Sequence, residues 1–224
     1  MEFTAPDLFS TINFLLVTFA VLLMYFYALR KTFRKITWVF PGTVVFLLIF
    51  MGVVYSGWVE EHPFPRLMIL FGVVNLSIIF LCFSPVGTKI SENVTVAQLI
   101  LFQAFRLPLE LTLHSWVKQE TIPVTMTWSG SNLDILTGIL ALLSFRVSER
   151  NKYVPWVFNI FGTILLLNVM RVAILSSPLP FAWEVIPPLQ LGLYLPYALI
   201  VPVCVGGALG GHLILFRKLM RRSR

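Results

Sequence analysis

Apolar runs long enough to cross a bilayer recur from one end of the chain to the other, at 9–29, 38–58, 67–83, 94–117, 133–147, 153–176 and 191–216. Lipid offers no hydrogen bonds to an exposed backbone, so only helices and closed barrels satisfy their amides there. Runs of about 20 continuously apolar residues fit the helix, which needs that length to span the hydrocarbon. The sequence thus predicts an all-α polytopic membrane helical bundle of about seven transmembrane helices, forming a single integral membrane domain over 1–224. The third and fifth runs are short, and their ends are the least defined. Composition agrees: 58% of residues are hydrophobic, 12% are charged and the mean hydropathy is +0.86, where a soluble chain carries about 25% charged residues.

The net charge of +7 would suggest nucleic acid in a soluble protein. Here it has a topological explanation. With the amino terminus outside, Arg30, Lys31, Arg34, Lys35, Lys89, Arg146, Arg150, Lys152, Arg217, Lys218, Arg221, Arg222 and Arg224 fall on the cytoplasmic side, against only Arg66 and Lys118 outside. That bias follows the positive-inside rule and favours an odd number of spans, with a cytoplasmic carboxyl terminus. Nucleic acid is therefore not an expected partner; the lipid bilayer is. Glu2 and Asp7 precede the first run, where a secretory signal carries basic residues, so that run reads as a retained helix. Trp38, Trp58, Trp116 and Trp156 lie near span ends, as indole rings do at the interface. Cys82 and Cys204 sit inside apolar runs and read as small buried hydrophobes.

Against this background Arg106, Glu110, His114, Asp134 and Arg171 stand out, because each lies within or at the start of a spanning run. A charge at the middle of a bilayer helix costs ~2.5–3.5 kcal/mol on insertion scales, so such residues pair and commonly mark a site. The two arginines and two carboxylates balance, leaving His114 as the member that titrates near neutrality. Arg106, Glu110 and His114 follow i, i+4, i+8 spacing and share one side of a helix that Pro108 interrupts. Asn132 precedes Asp134, and Asn168 lies one turn below Arg171. The expected result is an outward-facing polar pocket formed by Arg106, Glu110, His114, Asn132, Asp134, Asn168 and Arg171, with Arg106 at its floor. The segment 121–132 (TIPVTMTWSGSN) would cover it as a lid or short re-entrant turn.

Each residue also has a purely structural reading. Arg106–Glu110 and Asp134–Arg171 can be ion pairs that hold helices together. Asp134 suits the positive end of a helix dipole. His114, one turn from Lys118, can reach interfacial water, and Asn168 can bond between helices. His212 reads as structural or interfacial and remote from the cluster. Gly206, Gly207, Gly210 and Gly211 form small-xxx-small patterns that let a helix approach closely, within the bundle or in a homo-oligomer or other membrane partner.

Catalytic and cofactor motifs are sparse. The three histidines are scattered and no Cys/His cluster occurs, so no metal is expected. Phosphate loops, dinucleotide fingerprints and a lysine placed for retinal are absent, and no cofactor is expected. Ser129 and Ser131 flank Gly130 with His114 as a conceivable base, but the motifs of the rhomboid proteases are not matched.

Asp134-Ile135-Leu136-Thr137-Gly138 at the fifth run and Asn168-Val169-Met170-Arg171 on the sixth carry a distant resemblance. They are similar to the acidic-small-Cys-Ser/Thr-Gly and Asn-x-x-Arg motifs of the exosortase/archaeosortase family of membrane transpeptidases. The preceding Ile122-Pro123-Val124 fits the same pattern. Leu136 stands where that family has its nucleophilic cysteine and Gln190 where a histidine is found, so the resemblance implies lost thiol chemistry, with Arg171 as the active-site residue that carries over. Three functions follow as expectations. The first is binding or transport of a small polar or anionic ligand in a bacterial cytoplasmic membrane. The second is an exosortase-like envelope-processing role on an extracytoplasmic peptide or lipid-linked substrate. The third is a structural subunit of a membrane complex.

Overall fold

The computed structural model describes residues 3–33 and 38–222. Glu2, Arg34, Lys35 and Arg224 of the charge pattern lie outside those residues. Ten helices follow in order: α1 (Leu8–Thr32), α2 (Val39–Tyr55), α3 (Trp58–Glu61), α4 (Pro63–Phe83), α5 (Pro85–Asn93), α6 (Val96–Phe102), α7 (Arg106–Lys118), α8 (Ile135–Ser144), α9 (Tyr153–Ser176) and α10 (Gly206–Arg222). Among the described residues there is no strand. Among the described residues five segments are long and apolar enough to cross a membrane: α1, α4, the α6–α7 unit, α9 and the stretch Tyr197–Arg221. Two further apolar helices, α2 and α8, are shorter.

Local chemistry sets the ends. Asp7 caps α1, its carboxylate accepting the Ser10 amide at 2.7 Å; that bond holds the Asp7 carboxyl below the usual carboxylate range. Gly57 takes a left-handed conformation, φ +72°, which ends α2 and starts α3. Thr95 and Gln98 form a capping box at the start of α6. Apolar side chains cover the outside of the bundle, among them Leu16, Phe19, Leu48, Ile49, Leu76, Phe80, Leu143, Ile164 and Leu167. Exposed apolar surface on this scale suits a membrane and not water.

The α6–α7 unit is not a single straight helix. Residues Gln103–Phe105 form a 3-10 turn between its halves. Pro108 accounts for the break: it lacks an N–H, and its ring would clash with the carbonyl of Ala104, four residues earlier. Against this break α8 packs backbone to backbone. A Cβ added to Gly138 would stand 2.5 Å from the Leu107 nitrogen. At 10 residues, α8 measures ~15 Å, half the hydrocarbon thickness.

The segment 119–134 folds inward ahead of α8, with Thr121, Ile122, Met126, Thr127 and Asn132 all buried. Its own turns satisfy much of its backbone, and Thr125 Oγ1 meets Ser176 Oγ of α9 at 2.8 Å. Val124 and Ser129–Ser131 of the same segment are exposed.

The last run also differs from a plain helix. Short 3-10 turns at Leu191–Leu193 and Tyr197–Ile200 lead into a wide π turn at Val201–Val205 before α10. Pro196 and Pro202 cannot donate to a regular ladder, which accounts for the irregular entry. The glycines of α10 pack inside the chain: added Cβ atoms would meet Ile78 from Gly206, Val21 from Gly207 and Gln103 from Gly211. At the opposite end Arg217 reaches the Cys82 and Ser84 carbonyls and Thr88, while Lys218 reaches Ser91. These contacts fasten the short helix α5 to α10.

Candidate functional site: a buried charge cluster under an apolar cavity

Arg106 is the first residue of α7, and the break before it turns its side chain into the bundle, where it is 1% exposed. Asp134, immediately before α8, receives it in a two-pronged ion pair: Arg106 Nε donates to Oδ2 at 2.5 Å, and Nη2 faces Oδ1. Thr137 supports Oδ1 at 3.4 Å. The fork of a guanidinium matches a carboxylate in this way, and two buried opposite charges need such geometry to offset their desolvation.

The third arm of Arg106, Nη1, lies 3.2 Å from His212 Nε2 and 3.5 Å from the Gly162 carbonyl. A guanidinium only donates, so Nε2 is the acceptor and the imidazole proton sits on Nδ1, which donates to Asn159 Oδ1 at 2.9 Å. The ring fits because residue 162 is glycine; a Cβ there would lie 2.5 Å from His212 Cε1. One network thus joins α7, α8, α9 and α10.

Glu110, one turn beyond Arg106 and equally buried, takes a different partner. Asn132 donates to its Oε1 at 2.8 Å and to the Met126 carbonyl at 3.0 Å, while Asn132 Oδ1 accepts the Asp134 amide at 2.9 Å. Its second oxygen, Oε2, has no protein donor.

Above this cluster lies a cavity of about 90 Å³. Arg106, Glu110 and Asp134 form its charged end, and the rest of the wall is almost wholly apolar. Leu67 and Phe71 of α4, Met170 and Ala173 of α9, Ile200 at the end of the 3-10 turn and Cys204 of the π turn are representative. Leu179, Leu189 and Leu191, in the segment between α9 and that turn, also line it.

The structure brings together four of the seven residues expected from sequence, Arg106, Glu110, Asn132 and Asp134, and pairs them differently. Asp134 bonds Arg106 and not Arg171. Glu110 bonds Asn132 and not Arg106, because the guanidinium leaves the break toward α8. Arg171 is exposed; it donates to Asn168 Oδ1 at 2.9 Å and lies over the Trp183 ring at 5.8 Å. Asn168 in turn donates to the Ser131 carbonyl at 2.7 Å. His114 stacks on Trp128 with ring centroids 4.3 Å apart. None of these three lines the cavity. Leu136, at the place of the exosortase cysteine, is also outside the cavity lining and 39% exposed. His212, expected to be remote, belongs to the cluster. It stands two turns into α10, whose late start places it at the depth of Arg106. The available signal was the polar trio Gln103, Asn159 and His212, each isolated within an apolar run.

A family model described as "Domain of unknown function (DUF8737)" matches residues 63–220. The chain belongs to that family. The matched stretch contains every residue of the cluster and of the cavity wall, and excludes α1, α2 and α3. No curated protein and no solved structure matches the chain.

Proposed function

We propose that this chain is a seven-segment protein of a bacterial cytoplasmic membrane, with its amino terminus outside, that binds a largely apolar ligand in the cavity over Arg106, Asp134 and Glu110. The observation that carries the reading is Glu110: fully buried, lining an otherwise apolar cavity, and left with one oxygen lacking a donor. Buried polar groups are ordinarily satisfied, and an exception is a recurrent mark of function. Two features favour an apolar ligand over the small polar or anionic solute that the charges alone suggest. The wall offers little beyond hydrocarbon, and Arg106 is already engaged by Asp134 and His212.

Ends of the bundle support the orientation. Asp7 contacts Gln119 beyond α7, and Thr125 contacts Ser176. That end holds the outer part of the cavity. Lys31 contacts Gln98 and Arg221 contacts Glu92 at the other end, where the basic residues gather.

Photolabelling tests the reading. The protein in lipid nanodiscs is irradiated with hexyl probes bearing a diazirine, and modified residues are mapped by mass spectrometry. Modification at Met170, Ala173 or Ile200, lost in Ala173→Trp, is the expected result. Modification confined to lipid-facing residues such as Leu48 and Leu76 refutes it.

A further inference from the structure

Four observations at the charged end of the cavity bear on the chemistry of what enters it. First, the ionisable groups lining it are one guanidinium and two carboxylates, and His212 behind them accepts from Arg106 and so adds no positive charge. Second, the guanidinium is already engaged. Its Nε and Nη2 face Asp134, and Nη1 faces His212 and Gly162. An incoming anion would have to displace a buried carboxylate from a two-pronged pair. Third, of the two polar atoms here that lack a hydrogen-bond partner among the described residues, Arg106 Nη2 already faces Asp134 Oδ1, which leaves Glu110 Oε2, held in place because Asn132 grips Oε1. Fourth, about 90 Å³ is less room than the void of about 150 Å³ that admits benzene. It takes the end of a chain and not a whole lipid.

From these we infer that the cavity selects an aliphatic chain ending in a hydrogen-bond donor, a primary ammonium or a hydroxyl, which enters head first and donates to Glu110 Oε2. This rests on the binding reading above and specifies the ligand for that same site. The apolar wall accounts for the chain, and the unpartnered carboxylate oxygen for its end. An ammonium pairs with Glu110 in its ionised form, and a hydroxyl, which both donates and accepts, suits the side chain in either form. A carboxylate or phosphate end offers no donor when ionised and meets two carboxylates.

Four hexyl diazirines in nanodiscs separate the possibilities: one ends in an ammonium, one in a hydroxyl, one in a carboxylate and one in a methyl group. Hydrogen bonds to a charged group are worth ~1.5–3 kcal/mol, so the ammonium and hydroxyl probes should modify Met170, Ala173 and Ile200 at least about tenfold more than the other two. In Glu110→Leu all four should label alike, with the methyl probe retained as the sign that the cavity still forms. Glu110→Gln, which keeps an oxygen acceptor and can keep the Asn132 contact, should lose the ammonium preference and keep the hydroxyl one. Equal labelling by all four probes in the wild type, or a carboxylate preference, overturns the inference while leaving the binding reading intact. Absence of cavity labelling by every probe removes both.

Discussion

Arg106 shows how one side chain organises a membrane interior. Its charge is desolvated, and three neighbours answer it: Asp134, His212 and the Gly162 carbonyl. Removing only the cation strands a buried carboxylate, which costs about 3–5 kcal/mol, whereas replacing both partners by apolar groups can be neutral or better. Arg106→Met should therefore lower stability strongly, and the double change Arg106→Met with Asp134→Leu should recover most of the loss. Denaturation of the purified protein in mixed micelles measures both; equal losses in the single and double variants would assign the stability to packing instead. That these residues matter was legible in the sequence, because a charge in an apolar run has few cheap places to go. Their pairing was not, because it depends on a break in α6–α7 that reverses where Arg106 points. The charge of Arg171 invites a partner on α8, yet the α9 residues lining the cavity are Leu166, Val169, Met170, Ala173 and Ile174, and Arg171 bonds Asn168 on its own helix.

At the level of elements, the site depends on how closely α8 meets the α6–α7 break. Gly138 permits that approach, and Asp134 is carried on the end of the helix it positions. Added bulk at a backbone contact costs about 1–3 kcal/mol when neighbours cannot yield. Gly138→Ala should therefore destabilise the protein and loosen the Arg106–Asp134 pair. Gly72→Ala in α4 is the matched control, since nothing lies within 4 Å of its added Cβ; it should be neutral or stabilise by up to ~1 kcal/mol through helix propensity. Thermal unfolding of both variants separates a contact effect from a glycine effect. The lengths of the apolar runs place α1, α4 and α9 within a few residues of their observed ends. The fifth run was legible as short, but not that the last run opens on 3-10 and π turns, where Pro196 and Pro202 are the local hints of irregular backbone. The π turn Val201–Val205 contributes Val201, Cys204 and Val205 to the cavity wall, so the least regular backbone of the bundle lies beside its least satisfied carboxylate.

For the molecule as a whole, the decisive joint is 119–152. With α8 at ~15 Å, this stretch crosses the bilayer only if the irregular segment ahead of α8 supplies the remaining depth from within the protein. Burial of Ile122, Met126 and Asn132 supports that arrangement, and Arg146, Arg150 and Lys152 just beyond α8 would then face the cytoplasm under the positive-inside rule. A crossing here makes the number of segments odd and places the two chain ends on opposite faces. Cysteine accessibility decides it. In a background with Cys82 and Cys204 replaced by alanine, Lys118→Cys and Glu149→Cys each provide one exposed thiol at the two ends of the stretch. A membrane-impermeant maleimide added to intact cells should label position 118 and reach position 149 only after permeabilisation. Labelling of both from the same face would turn 119–152 into a re-entrant hairpin and make the segment count even. It would also place Arg146, Arg150 and Lys152 on the same side as Glu60 and Glu61, against the charge asymmetry of the rest of the chain.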